Sequence, residues 1–391
     1  MSKAHAKLSP SAAYRWINCP GSVALAEQCP PAPSSAYADE GTLAHAVAET
    51  KLMQQSGKIT KKQYTKDLKG LLKADDGLYW TGEMAEATDF YADRVMETLA
   101  AAGKDAVLLI EQRLDLNFWA EGSFGTSDAV VIGDGVLEVV DLKFGKGVKV
   151  DAPGNPQLRL YGLGAATLYE GLYEFDRVRM TIVQPRLDHV STEELPLQDL
   201  LDWGYMVREK AAEAAAGSEE RACGDWCRWC PAKAICRMRA EKQLDLARYE
   251  FQKPALLTNE EIAEILGRID ELTAWAKDVQ DFALQGALDG EHFDGWKLVE
   301  GRSVRKYADD LKVAERLQAA GYPEAAIYER KLLGLTAMEK LVGKKKLVET
   351  LGDLIVKPAG KPVLVPESDK RDAINTTEAA KADFNDLIKE D

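Results

Sequence analysis

The chain is short of the features that would assign it quickly. It has no apolar run long enough to cross a bilayer, which excludes a membrane-spanning helix and a membrane partner. The opening segment MSKAHAKLSPSAAYRW lacks the hydrophobic stretch of a secretory leader, so the cytoplasm is the expected location. It has no surplus of positive charge: 50 Lys and Arg stand against 64 Asp and Glu, a formal net charge of −14. A protein that coats nucleic acid through bulk charge is therefore excluded, although a local basic groove is not. No G-x-x-x-x-G-K-[ST] motif occurs, which removes a recognisable ATP motor. No internal repeat is present either. What remains is an ordinary globular composition, 46% hydrophobic and 29% charged, in a chain of 391 residues. That length can bury a large core and suggests two or three structural units.

Periodicity divides the chain. SPSAAYRWINCPGSVAL is a short helical pattern ended by Cys19-Pro20-Gly21. GTLAHAVAETKLMQQ predicts a helix that starts near Thr42, whose hydroxyl suits an N-cap. A Lys-rich stretch, KITKKQYTKDLKGLLK, follows, and residues 81–102 again have helical spacing. From about residue 106 the pattern changes to strands. AVLLIEQRLDL is one, and AVVIGDGVLEVVDLKF predicts a hairpin about Gly133-Asp134-Gly135. NPQLRLYGLGAATLYE predicts a helix with Asn155 as N-cap and Pro156 in its first turn. DRVRMTIVQPR is a further strand, and QDLLDWGYMVREKAAEAAAG a further helix. An α/β or α+β core over roughly 36–215 follows from this order.

The expected divisions are a first domain over 1–250, a mainly helical region over 251–357 and a flexible acidic tail over 358–391. In the second, residues 258–289 form a long amphipathic helix, GWKLVEGRSVRKYA a strand pair or arm, and ADDLKVAERLQAAG and LTAMEKLVGKKKLVETLG two shorter helices. The end of the chain, ADFNDLIKED, reads as a solvated tail, with a partner-docking peptide as the alternative.

The hairpin carries the chemistry. Its turn brings Asp128 on one strand close to Val140-Asp141 on the other, and alternation points Asp141 and Lys143 to the same face. Two carboxylates suit a hard cation such as Mg²⁺, and a lysine beside them can orient an attacking water and neutralise charge on a phosphate. A surface hairpin with a salt bridge is the plain alternative. His45 and Glu49 share a helical face, as do Gln157 and Tyr161. Lys146 and Lys149 extend the basic character beyond Lys143.

GTLAHAVAE, FGTSDAVV, VVDLKFGKG and PQLRLYG, in that order, resemble the motifs of the RecB-like branch of the PD-(D/E)XK nuclease superfamily. That branch has a G-T-x-x-H helix, a G-x-x-D strand, a D/E-x-K strand and a Q-x-x-x-Y helix. The resemblance covers roughly residues 8–240. It implies a restriction-endonuclease-like core with a mixed central sheet flanked by helices, and a C-terminal helical region beyond it. It also implies that His45, Asp128, Asp141 and the carbonyl of Leu142 hold Mg²⁺ or Mn²⁺, with Lys143 catalytic and Gln157 and Tyr161 in support. Asp stands where many members have Glu in the D/E-x-K motif.

Six cysteines occur, and four of them, Cys223, Cys227, Cys230 and Cys236, fall within fourteen residues. Such clustering points to a metal or cluster rather than to disulfides in a cytosolic protein. On spacing alone the group favours a compact Zn²⁺ site. The resemblance changes that weighting, because AddB-like nucleases and the CRISPR-associated RecB-like nucleases hold a [4Fe–4S] cluster with one early cysteine and a later C-x2-C-x5-C group. Cys19, Cys227, Cys230 and Cys236 match that layout, which leaves Cys29 and Cys223 as spares. Trp226 and Trp229 are expected to pack around the cluster rather than stack on bases.

The expected activity is hydrolysis of DNA phosphodiester bonds, as an exonuclease of recombination, repair or phage replication. Partners of that reading are DNA, single-strand-binding or replication and recombination proteins, and further copies of the chain. The alternatives are a catalytically silent DNA-end-binding or scaffold protein, and a zinc-stabilised interaction module.

Overall fold

In the computed structural model the described residues are 6–30, 35–74, 77–246 and 257–297, with shorter stretches among 299–351. The expected tail over 358–391 lies outside them, as does most of GWKLVEGRSVRKYA. The chain divides into two compact units, Met1–Glu291 and His292–Asp391.

Five strands build the sheet of the first unit: β1 (Val107–Asp115), β2 (Phe124–Gly133), β3 (Gly135–Leu142), β4 (Phe175–Gln184) and β5 (His189–Pro196), in that spatial order. β1, β2 and β3 pair antiparallel. The β2–β3 connection turns on Asp134 and Gly135, both at positive φ (48° and 72°), which is the backbone a two-residue hairpin loop requires. β4 then lies parallel to β3, and β5 returns antiparallel, so the sheet is mixed as expected. A parallel neighbour needs a crossover, and α6 (Pro156–Tyr169) supplies it. Its N-cap is Asn155, whose side chain accepts from the N–H groups of Gln157 and Leu158, with Pro156 in the first turn.

β5 is absent from the sequence reading. HVSTEELP carries almost no apolar residues, and its burial merely alternates between half-buried and exposed, as befits a polar edge strand. β3 is the opposite case. It is buried from Val136 to Leu142 because both faces of the sheet are covered.

One face packs Val130, Ile132, Leu137, Val139, Met180 and Ile182 against Leu158, Leu160, Leu163 and Tyr161 of α6, with Leu200, Val207 and Ala211 of α7 (Leu197–Ala215). Trp16, from the short helix α1 (Ala13–Asn18), joins the same core. The short helix α2 (Ser22–Glu27) follows. The other face packs Val131, Val140, Leu142 and Val183 against Ala48 and Leu52 of α3 (Ala36–Gln55) and Tyr91 and Val95 of α5 (Gly82–Ala101). Between α3 and α5 runs α4 (Lys61–Ala74), the Lys-rich stretch.

The expected N-cap Thr42 is corrected. Helix α3 begins two turns earlier at Ala36, with Ser35 accepting from Ala38 N, while the Thr42 hydroxyl donates to the carbonyl of Ala38 within the helix. A Thr inside a helix bonds back to the carbonyl four residues earlier rather than capping.

Two further helices complete the unit. α8 (Arg237–Leu244) is joined to α9 (Asn259–Leu288) by Arg239 on Asp278, which Lys233, just before α8, also reaches (both 2.7 Å). α9 opens with a capping box between Thr258 and Glu261. The second unit contains α10 (Asp310–Ala319) and α11 (Lys344–Leu351), where two shorter helices were expected. Among the described residues no helix is long and apolar enough to cross a membrane.

Candidate functional site

The hairpin places Asp128 on β2, Asp141 on β3 and Lys143 just past the end of β3, where its N–H bonds Val183 O on β4 at 2.9 Å. Backbone pairing thus holds the bases of all three side chains. Helix α3 brings His45 to them from the other side, with Nδ1 2.9 Å from Asp128 Oδ1. An ionised carboxylate can only accept, so Nδ1 carries the proton. The second oxygen of Asp128 accepts from Leu142 N at 2.7 Å, which clips β2 to β3 at the open end of the hairpin.

Lys143 continues the chain of contacts. Its Nζ lies 2.9 Å from Asp141 Oδ2 and donates to Gln157 Oε1 at 3.1 Å. Gln157 Nε2 in turn donates to the Tyr161 hydroxyl at 3.3 Å, as the i, i+4 spacing on α6 allows. His45, Asp128, Asp141, Lys143, Gln157, Tyr161 and the backbone of Leu142 therefore meet in one place, from two strands and two helices.

Gly125, in the FGTSD segment, makes room for this. A Cβ there would stand 2.6 Å from Tyr161 Cε1, so only glycine lets the ring lie against β2. Two more groups escaped the sequence reading. Tyr91 donates its hydroxyl to Val140 O at 3.2 Å. Glu111 sits on β1 across from Asp128, at φ 48° in a strand, and lines a small recess with His45, Glu49, Tyr91, Asp128 and Leu142. Nothing local marks either role, because Tyr91 depends on α5 packing on β3 and Glu111 on the pairing of β1 with β2.

The electrostatics are unusual for a surface hairpin. The Asp141 side chain is only 5% exposed, and burial raises its pKa against the opposing pull of Lys143, with Asp128 adding to the rise. Its buried Oδ2 is held by the Lys143 ammonium at 2.9 Å. For His45, burial works against the charged ring, yet the Asp128 carboxylate and its hydrogen bond outweigh it and the pKa rises. Burial also raises the hydroxyls of Tyr161 and Tyr91, so both remain protonated. Two carboxylates, one of them buried, and an imidazole suit a hard divalent cation by donor chemistry. In this conformation the contacts His45–Asp128 and Asp141–Lys143 close the set. Among the described residues no group of three or more His, Cys, Asp or Glu is placed so that it could hold a metal ion as it stands.

The cysteines gather at the far side of the N-terminal turn. Cys19, 208 positions before Cys227, ends α1 and accepts from Ala222 N at 3.5 Å. Gly21 permits this approach, since a Cβ there would stand 2.8 Å from Glu220 O. Cys227 lies in a short 3-10 turn, Asp225–Trp229, Cys230 directly follows it, and Cys236 occupies the N-cap position of α8 without a side-chain cap bond. Burial raises the Cys230 thiol, and the nearby Cys227 and Cys19 add to the rise. Cys223, expected as a spare, stands with the group: burial, then Cys227 and Cys236, push its thiol up to about 12. Cys29 bonds Leu25 O within its own helix end.

The two tryptophans part company. Trp226 packs edge-on against Tyr14 and donates to Ala222 O at 3.0 Å. Trp229 does not pack inward as expected. It is 68% exposed, with Arg228 over its ring at 5.3 Å, because the turn of the 3-10 segment points it to solvent.

The fold and site define a class: a helix-flanked mixed sheet whose central hairpin presents two carboxylates and a lysine. Within that class, the chain belongs to the family described as "Protein of unknown function (DUF2800)", which matches residues 5–372. Among solved structures it is similar to one titled "Crystal structure of SSO0001", at 15% identity and a TM-score of 0.23, over 49% of this chain and 95% of that one.

Proposed function

We propose that this chain is a metal-dependent DNA nuclease, acting as an exonuclease in the cytoplasm. One observation carries the reading: the buried Asp141 is paired with Lys143, which Gln157 and Tyr161 hold on one side, and stands beside Asp128 and His45 on the other. A structural salt bridge has no need of an ordered set drawn from four elements. The ordered resemblance to RecB-like nucleases points the same way.

In this reading His45, Asp128, Asp141 and the Leu142 carbonyl hold Mg²⁺ or Mn²⁺, which supplies an activated water and a Lewis acid at the phosphate. Lys143 neutralises the charge that develops on the phosphate oxygens, and Gln157 fixes where its ammonium stands. Tyr161 holds Gln157 in turn and keeps its own proton. Leu142 N orients Asp128 by bonding the oxygen that His45 does not take.

Cys19, Cys227, Cys230 and Cys236 hold a [4Fe–4S] cluster that staples the N-terminal turn to the end of the core, with Zn²⁺ as the alternative occupant. Iron and sulfide in protein purified without oxygen support the cluster; stoichiometric zinc removes it.

The decisive experiment is digestion of 5′- and 3′-labelled single- and double-stranded DNA with Mg²⁺ or Mn²⁺, by the native chain and by Lys143→Ala. Cleavage is expected to fall by about 10²–10³ in the variant, the size seen when one charge-stabilising group is removed. Equal activity in both would reject the site. Binding without cleavage would favour the silent end-binding protein.

A further inference from the structure

The eleven residues between Lys143 and the α6 cap Asn155 form no regular element, yet their main chain is held at nearly every second residue. Gln184, at the end of β4 and 1% exposed, spends its whole amide on them. Its Nε2 donates to Gly145 O and Val148 O (2.7 and 2.8 Å), and its Oε1 accepts from Val150 N (3.1 Å). The β5 residues His189, Ser191 and Glu193, which share one face of the strand, continue the clasp. His189 Nε2 reaches Val150 O at 3.1 Å, Ser191 Oγ accepts from Ala152 N at 2.9 Å, and Glu193 Oε1 accepts from Gly154 N at 3.0 Å. Arg159 of α6 fixes Glu193 in turn, with Nε 2.9 Å from Oε2. Phe144 anchors the start of the segment in the pocket between α3 and α5, under the Arg186 guanidinium.

Such a clasp holds still a segment that then presents two cations. Lys146 and Lys149 are 58% and 60% exposed. Each has a carboxylate within ion-pair reach, Glu83 at 3.6 Å and Asp151 at 3.5 Å. Both carboxylates are already engaged by a better-buried group, Glu83 by Arg186 at 3.1 Å and Asp151 by His189 at 2.8 Å. Exposed, shared pairs of this kind stabilise little and yield readily to a stronger anion. Three residues of chain span at most about 10 Å, roughly the axial rise of three phosphates along one strand.

We propose that residues 145–151 are a pre-organised phosphate-contact loop, in which Lys146 and Lys149 hold the DNA backbone beside Lys143 and Gln184 positions both. The inference rests on the reading of the chain as one that acts on DNA. Burying a glutamine so that its amide serves only main-chain atoms of a loop makes sense where the position of that loop matters, since pre-ordered contacts lose less entropy on binding.

The test is binding of fluorescent single-stranded and duplex oligonucleotides by the full chain, without divalent cation, across a salt series. In Lys146→Gln/Lys149→Gln the slope of log K against log salt is expected to fall by two contacts, about 1.4 on single strands and about 1.8 on duplex. Gln184→Ala is expected to weaken binding in the native background and to add nothing in the background without the two lysines, as coupled residues do. An unchanged slope in the lysine pair overturns the loop, and Lys143-dependent cleavage in the same preparation would leave the nuclease reading standing. An equal effect of Gln184→Ala in both backgrounds removes its positioning role. Absence of DNA binding by the native chain removes the loop and the reading together.

Discussion

The carboxylate–lysine site and the cysteine site occupy the same unit and are built in opposite ways. The first stands on paired strands and a capped helix, and its side chains pair with one another. The second stands on a 3-10 turn and an eight-residue helix, Arg237–Leu244, and thiols there are raised by burial and by each other. The sheet therefore holds its site before any ligand arrives. The cysteine segment has little apolar burial of its own, since between Cys223 and Leu244 only Cys230 and Ala232 count as buried hydrophobic residues. Its order must come from cross-links, whether by metal or by ion pairs to α9.

That contrast can be broken experimentally. The largest effect is expected from Cys227→Ala. If a cluster or zinc ion staples the segment, its loss removes a binding free energy on the order of 10 kcal/mol from local folding. Residues 216–246 should then become sensitive to protease while amides of β2 and β3 keep their hydrogen-exchange protection. Native resistance in the variant would show that the segment needs no cross-link.

Asp141→Asn tests the other side. Cleavage is expected to fall about 10²–10³-fold, with little loss of thermal stability. The sign with pH follows from the direction of the shift. A carboxyl whose pKa is raised on folding contributes stability below its unfolded value, near 4, and loses it as pH rises through the folded value. Metal-free native protein should thus gain on the Asn variant in Tm as pH is lowered towards 4. A widening deficit on acidification would mean that Asp141 is held by Lys143 more strongly than burial opposes it.

The smallest effect concerns Asp278, which Lys233 and Arg239 hold on α9. Burial raises its pKa, but the two cations outweigh that and the net shift is downward. Asp278→Asn should cost about 1–3 kcal/mol at neutral pH. A lowered carboxyl contributes stability above its unfolded pKa, so the difference should fade as pH drops below about 4. If Asp278→Asn exposes the cysteine segment as fully as Cys227→Ala does, the contacts with α9 rather than a metal keep it ordered.

Much of the sheet site was legible because its signals are local. Asp134-Gly135 between two apolar strands announces a hairpin, and the hairpin alone pairs Asp128 with the neighbourhood of Asp141. Asn155-Pro156 marks the start of α6, which then aligns Gln157 with Tyr161. Local signals failed where a competing one was present. Thr42 resembles a cap but lies inside a helix that Ser35 had already begun. HVSTEELP lacks the apolar alternation of a strand, since as an edge it buries little. Cys223 is a spare in the layout the resemblance implies, and its place beside Cys227 and Cys236 is set by the folded turn.

The sequence by itself determined the hairpin, the capped helix and the residue types at the site, since turn chemistry, capping and side-chain periodicity act over a few residues. Tertiary structure alone decided that His45 reaches Asp128 across 83 positions, that Lys143 finds Gln157, and that Gln184 clasps the loop between them. Those contacts depend on β4 lying parallel beside β3 and on α3 crossing the same sheet. Such long-range placements come from burying two faces of one sheet at once, and no short segment encodes them.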